Sequence, residues 1–111
     1  MSYFSAWGAP GDLTLKPEIT APGGNIYSTT NNGTYDVMSG TSMASPSAAG
    51  MAAVLMQYIR ENGLAEKAGM TARALAQSLL MGTAEPMTDP DTNVEYSPRR
   101  QGSGPGKKRL I

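Results

Sequence analysis

Ser39-Gly-Thr-Ser-Met-Ala-Ser-Pro-Ser-Ala-Ala-Gly50 is the stretch that decides the fold, because it joins a turn to the start of a long apolar segment. Proline lacks an N–H group and is tolerated in the first turn of a helix, so Pro46 predicts a helix that begins near Thr41 or Ser42. Gly63 is a natural stop, which gives a helix over residues 42–62. Residues 48–59 leave almost no polar stripe, and this pattern predicts a helix buried on nearly all sides.

Ser42 therefore falls at the N-terminus of this helix, a position that has two interpretations. A serine or threonine before a helix is commonly an N-cap, and Thr41 or Ser42 fits that role. The free N–H groups and the positive end of the helix dipole also favour the negative charge of a tetrahedral intermediate, as a nucleophilic serine requires. The sequence contains no histidine, the usual base for such a serine. From the residues alone the cap is favoured, and the nucleophile stays open.

A β-hairpin is predicted directly before the helix. Asn32-Gly33 is a strong hairpin signal, because both residues tolerate positive φ angles. This pair separates two β-favouring segments, residues 25–28 and 35–39. The second strand then delivers the chain to Gly40.

The flanking segments are simpler. Two prolines delimit a short predicted strand at residues 19–21. After the long helix, residues 63–70 read as a linker. A second, amphipathic helix is predicted over residues 71–81, capped by Thr71 and ended by Gly82.

Composition excludes several functional classes. With 111 residues, 40% of them hydrophobic and 16% charged, the chain fits one small globular domain. It has no cysteine, so disulfides and thiolate metal ligands are excluded. We predict no metal site, because no loop has calcium-ligand spacing. No signal peptide is predicted at the N-terminus, and no apolar run reaches the roughly 18 residues of a membrane span.

Charge is divided unevenly along the chain. The net charge is zero, yet residues 99–111 hold five basic side chains and no acidic one. Residues 102–106, Gly-Ser-Gly-Pro-Gly, have the composition of a linker. The sequence therefore predicts a basic flexible tail at residues 103–111. A solvated terminus is favoured over a nucleic-acid contact, because the basic run is short and contains no aromatic residues.

Four segments resemble one family in the same order along the chain. Gly40-Thr-Ser-Met-Ala-Ser-Pro46 is similar to the nucleophile signature of the subtilisin-like serine peptidases. Upstream, residues 4–8 (Phe-Ser-Ala-Trp-Gly) and 15–23 (Leu-Lys-Pro-Glu-Ile-Thr-Ala-Pro-Gly) resemble two further segments of that family. Downstream, residues 96–102 resemble a segment of the large Gram-positive cell-envelope members, the lactocepin and C5a-peptidase group. The resemblance covers residues 3–102.

This resemblance implies a C-terminal fragment of an α/β three-layer sandwich, with short strands, a hairpin, one buried helix and one amphipathic helix. It implies a serine endopeptidase that acts on polypeptides through an acyl-enzyme, located outside the cell or in the cell envelope. By the resemblance, Ser42 is the nucleophile and its N–H forms half of the oxyanion hole, while Thr41 supports the turn. Met38, Ser39 and Gly40 are expected to bind substrate. Calcium is expected, if at all, only in a full-length member.

The chain also departs from the family pattern. The aspartate and histidine of the family's triad and its oxyanion-hole asparagine lie far upstream of the serine, and 41 residues precede Ser42 here. We therefore expect residues 1–102 to be a partial catalytic domain, inactive alone and dependent on the missing N-terminal part. The alternative is a non-catalytic binding or complementation module, for which self-association is expected. An unrelated protein with a chance match is a weaker hypothesis.

Overall fold

The computed structural model describes residues 1–8, 11 and 14–106. Two strands come first, β1 (Ile26–Thr29) and β2 (Tyr35–Met38), joined by a single 3-10 turn at Asn31–Gly33. Four helices follow: α1 (Thr41–Glu61), α2 (Leu64–Ala68), α3 (Ala72–Thr83) and α4 (Pro98–Gln101). The expected α/β class is confirmed, with short strands, a hairpin, one long helix and one amphipathic helix.

The hairpin forms where the turn residues predict it. Strands β1 and β2 pair antiparallel, with Ile26 opposite Met38 and Ser28 opposite Asp36. Asn32 and Gly33 both adopt positive φ angles, 60° and 69°, as the Asn-Gly signal requires. Because side chains alternate along a strand, Asp36 and Met38 share one face of the hairpin. That face lies toward α1.

Helix α1 starts at Thr41, which confirms the start predicted from Pro46. Its burial was predicted wrongly. Within the described residues Leu55 and Ile59 are its buried members, with 3% and 1% of their surface exposed, whereas Val54 is 68% exposed. Apolar residues on all faces of α1 allow burial on every side, but within the described residues α3 covers only one side of it.

The core lies between α1 and α3. Its centre consists of Leu55 and Ile59 from α1 and Ala76 from α3. Partly buried apolar side chains surround them: Met56, Leu64, Ala65, Ala72, Leu75, Leu79 and Leu80. Helix α3 is therefore the amphipathic partner that its periodicity predicts, and it presents its apolar stripe to α1.

Two boundaries differ from prediction. The linker at residues 63–70 contains the short helix α2. Thr71 caps α3 as predicted, since its hydroxyl accepts a hydrogen bond from the Ala74 N–H at 3.2 Å. Gly82 does not end α3, which continues to Thr83. Ala84 is already extended, with φ −66° and ψ 147°, and Pro86 disfavours a return to helical geometry at the residue before it.

The C-terminal segment pairs with a segment far upstream. The N–H of Ser103 donates to the carbonyl of Glu18 at 3.0 Å, and the N–H of Thr20 donates to Gly104 at the same distance. Thr20 forms an isolated parallel bridge with Pro105. In place of the strand predicted at residues 19–21, the structure has a single bridge between Thr20 and Pro105. The predicted tail is not free at residues 103–106, while residues 107–111 lie outside the described residues. The domain boundary at 102 stays a prediction.

Candidate active site

Gly40 carries the turn between β2 and α1. It adopts φ 157° and ψ 169°, a conformation that L side chains rarely adopt, so glycine is required there. Its N–H donates to the carbonyl of Gly23 at 2.8 Å, which ties the turn to the upstream loop. Its carbonyl accepts from the N–H groups of Met43 at 3.1 Å and Ala44 at 3.4 Å. Gly40 is therefore the N-cap of α1, and its position fixes where the next two residues lie.

Ser42 is not a helix cap, so the interpretation favoured from the residues alone was wrong. The capping residue is Gly40, which has no side chain, and no side-chain cap hydrogen bond is made at this end of α1. Ser42 is exposed. Within residues 1–8, 11 and 14–106 its hydroxyl has no hydrogen-bond partner. The Ser42 N–H lies in the first helical turn, whose N–H groups have no acceptor within the helix. Both groups are therefore free to bind another molecule.

Ser39 stabilises the hairpin next to the turn. Its Oγ accepts a hydrogen bond from the Asn25 N–H at 2.7 Å and donates to Asn25 Oδ1 at 3.4 Å. Asn25 itself has a positive φ angle of 51°. These contacts join the residue before β1 to the residue after β2. The Ser39 side chain is thus engaged within the hairpin, and its expected contact with substrate stays a prediction.

A groove of about 320 Å³ lies between the hairpin and the first turns of α1. Ser42 borders it, together with Met38, one of the three residues expected to bind substrate. The other lining residues come from the same two elements: Ile26, Ser28, Thr29, Thr30, Asp36, Met43, Pro46 and Ser47. Ser39 and Gly40 do not line it. Ser42 and Met38 therefore border the same groove, which is also lined by the carboxylate of Asp36, a residue outside the Gly40–Pro46 motif.

Asp36 was missed from the sequence, although a signal for it existed. Alternation along β2 places Asp36 and Met38 on one face, and the expected role of Met38 therefore points to Asp36 as well. The Asp36 Oδ1 accepts a hydrogen bond from the Val37 N–H at 2.7 Å. Its position puts one negative charge into the groove that Ser42 borders.

The sequence matches the subtilase family over residues 1–104. This chain belongs to the subtilase family. It is 44% identical over 111 residues to the PII-type proteinase of Lactococcus lactis subsp. cremoris and 47% identical to that of Lacticaseibacillus paracasei; each alignment covers 94% of this chain and 6% of the relative. It is 38% identical over 104 residues to the C5a peptidase of Streptococcus pyogenes, covering 94% of this chain and 9% of that protein. The chain therefore spans less than a tenth of the length of these relatives, which are the kinds of subtilase its motifs resemble.

Thr41 faces the other side of this subtilase turn. It lines a second cavity of about 300 Å³ with Ala44, Pro22, Phe4 and Ser5, on residues upstream of the hairpin. Ser42 is absent from that lining. The start of α1 therefore separates two cavities, one bordered by each hydroxyl residue. The expected support of the turn by Thr41 stays a prediction.

The groups available near Ser42 are limited. The subtilase sequence contains no histidine. Across the described residues, no group of three metal-ligating side chains is suited to hold an ion. No helix in the described ranges is long and apolar enough to cross a membrane. The arrangement offers an exposed serine hydroxyl and first-turn N–H donors beside a groove.

Proposed function

We propose that this chain supplies the nucleophile of a subtilisin-like serine endopeptidase, with Ser42 as the attacking residue, and that the chain is inactive alone. The observation that carries the proposal is the free, exposed hydroxyl of Ser42 at the start of α1. A serine used only for stability would cap the helix, and Gly40 already occupies that position. Family membership supports the reaction class.

The chemistry divides into parts that this chain has and parts that it lacks. Oγ of Ser42 attacks the carbonyl carbon of a peptide bond, and the N–H of Ser42 stabilises the oxyanion together with the N-terminal end of α1. Collapse of the tetrahedral intermediate breaks the C–N bond, the amine leaves with a proton, and water then hydrolyses the Ser42 ester to release the acyl group. The hydroxyl proton must pass to a base, and the chain has no histidine. We propose that the aspartate, the histidine and a second oxyanion donor come from polypeptide outside these 111 residues. Met38, Ser39 and Gly40 then contact the substrate polypeptide.

The inactivity of the isolated chain is tested with a fluorophosphonate, which reacts with activated serines. We expect no labelling of the 111-residue chain above that of its Ser42→Ala variant, because the chain has no histidine to take the hydroxyl proton. Mass spectrometry of the tryptic peptides locates any modified residue. Fast, stoichiometric modification of Ser42 would refute the claim of inactivity.

The role of Ser42 is tested in a chimera in which this chain replaces the matching region of the Lactococcus lactis PII-type proteinase. Ser42→Ala is expected to lower kcat by about 10⁶-fold, as loss of the nucleophile does in enzymes with a catalytic triad. Ser45→Ala is the matched control, because Ser45 is exposed and borders neither cavity. An active chimera that keeps its proteolytic rate after Ser42→Ala would overturn the assignment.

A second candidate function is a non-catalytic complementation module, and the exposure of α1 favours it. Val54 is 68% exposed on a helix whose sequence is apolar on nearly all sides. Apolar surface of this kind is stabilised by a covering partner, which would be the remainder of the catalytic domain or a second copy of this chain. Size-exclusion chromatography distinguishes these states: a monomer at all concentrations contradicts self-association.

Location outside the cell or in the cell envelope is part of the same proposal, because a secreted endopeptidase meets its polypeptide substrates there. Fractionation of the producing cells, followed by detection of this chain in the medium or the wall, tests it. Recovery of the chain wholly in the cytosol contradicts it.

A further inference from the structure

The groove beside Ser42 combines an apolar wall with one charge. Ile26 of β1, Met38 of β2 and Met43 of α1 supply apolar side chains. Asp36 is the charged residue among those that the structure places around the groove. The other lining residues are Pro46 and five residues with hydroxyl side chains: Ser28, Thr29, Thr30, Ser42 and Ser47. An occupant that matches this surface has a long apolar stem and a positively charged end.

The Asp36 charge has no counter-ion in the described part of the chain. The salt bridge found there joins Lys16 to Glu18, and no lysine or arginine lines the groove. The one hydrogen bond of the carboxylate, from the Val37 N–H to Oδ1, leaves Oδ2 without a partner among the described residues. A cation that enters the groove therefore meets an unpaired carboxylate.

The hairpin itself does not need this charge. Aspartate is depleted from strand interiors, and Asp36 lies within β2, opposite Ser28. The bond to Val37 requires an acceptor oxygen, which an asparagine also provides. The negative charge is thus separable from the local structure of β2, so its effect on binding can be tested by itself.

We propose that Asp36 is a specificity-determining residue, and that the groove receives a lysine or arginine side chain of the polypeptide substrate. This inference rests on the proposed function of Ser42, because the groove selects substrate only if that serine attacks it. The methylene stem of the substrate residue packs on the apolar wall while its charged end pairs with Asp36. A neutral residue of the same shape loses the ion pair, and a glutamate is repelled.

The expected effect is modest, because Asp36 is exposed and water screens its charge. An exposed ion pair of this kind corresponds to about a fivefold preference for arginine over its neutral isostere citrulline. The preference is expected to decrease as salt is added, since screening acts on exposed charges.

The experiment measures binding to the 111-residue chain carrying Ser42→Ala, so that it does not depend on the reactivity of the serine. Two blocked tripeptides, identical except for a central arginine or citrulline, are titrated while the backbone amides of Ile26, Met38 and Met43 are followed by NMR. We expect the arginine peptide to bind about fivefold more tightly. In Asp36→Asn, which keeps the acceptor for Val37, the two peptides are expected to bind equally.

Two further variants complete the design. Asp91→Asn removes a carboxylate that does not line the groove, so the fivefold preference is expected to remain. Asp36→Lys is expected to reverse the selectivity, so that a glutamate peptide binds more tightly than its glutamine counterpart. Equal affinities for arginine and citrulline with Asp36 present would overturn the proposal, as would a preference that survives in Asp36→Asn. Fluorophosphonate labelling and the chimera test Ser42 separately, so failure of either proposal is recognised by itself.

Discussion

The contact between Gly23 and Gly40 is the most sensitive packing point of the site, and Gly23→Ala tests it. A Cβ at Gly23 would lie 2.6 Å from the carbonyl oxygen of Gly40 and 3.1 Å from the Cβ of Ala44. Both neighbours belong to the turn that carries Ser42, and the closer atom is backbone. The turn must therefore move by several tenths of an ångström, which also lengthens the 2.8 Å hydrogen bond from the Gly40 N–H to Gly23.

The magnitude follows from three terms. Overpacking costs about 1–3 kcal/mol, and weakening the Gly40–Gly23 hydrogen bond costs up to about 1 kcal/mol. The lower entropy of the unfolded alanine chain offsets about 0.4–1 kcal/mol of this. We therefore expect Gly23→Ala to lower the free energy of unfolding by about 2 kcal/mol.

Gly24→Ala is the matched control for this prediction, because it makes the same change one residue further along. A Cβ at Gly24 would have its nearest contact at 3.6 Å, to the Ser2 Oγ, which is an ordinary van der Waals distance. Its unfolding free energy is expected to stay within about 0.5 kcal/mol of the parent. Urea unfolding followed by circular dichroism at 222 nm measures both variants. A Gly23→Ala chain as stable as Gly24→Ala would refute the packing argument, and in the chimera the same change is expected to lower kcat by about 10²-fold through misplacement of Ser42.

Three further predictions concern stability and surface. Gln101 is 2% exposed and bonds the Met87 N–H at 2.7 Å and the Tyr96 carbonyl at 2.6 Å, so Gln101→Leu leaves two partly buried backbone groups without these partners and is expected to cost about 2–4 kcal/mol in urea unfolding; a loss under 1 kcal/mol contradicts this. Thr71→Ala removes the cap of α3 and is expected to cost about 1 kcal/mol, which Thr71→Ser restores. Val54→Glu is expected to change the stability of the isolated chain by less than about 0.5 kcal/mol. It is expected to lower the melting temperature of the chimera if the remaining domain covers α1, and an unchanged chimera contradicts that cover.

The hairpin and the start of α1 were predictable because their signals are local. Asn32-Gly33 fixes the backbone angles of its own turn, and Pro46 restricts the first turn of its own helix. The pairing of Thr20 with residues 104–106 joins segments more than 80 positions apart, and the residues at either end carry no sign of it. The apolar pattern of α1 predicted its burial wrongly, because an apolar surface allows burial but does not determine which element covers it.

Gly40, and not Ser42, caps α1, and this choice costs the helix little stability. Glycine at an N-cap is less favourable than serine by only a few tenths of a kcal/mol. Using Gly40 as the cap therefore costs α1 little, while Gly40 alone among these residues adopts φ 157° without strain. The consequence for Ser42 is larger, because a hydroxyl that capped the helix would be bonded to backbone and unavailable to another molecule. A small loss of helix stability thus leaves a serine at the N-terminus of α1 with a free Oγ, beside a groove that Asp36 and Met38 line. Local propensity rules rank the cap first because they consider the stability of the helix, and they do not consider whether a hydroxyl group stays free to bind another molecule.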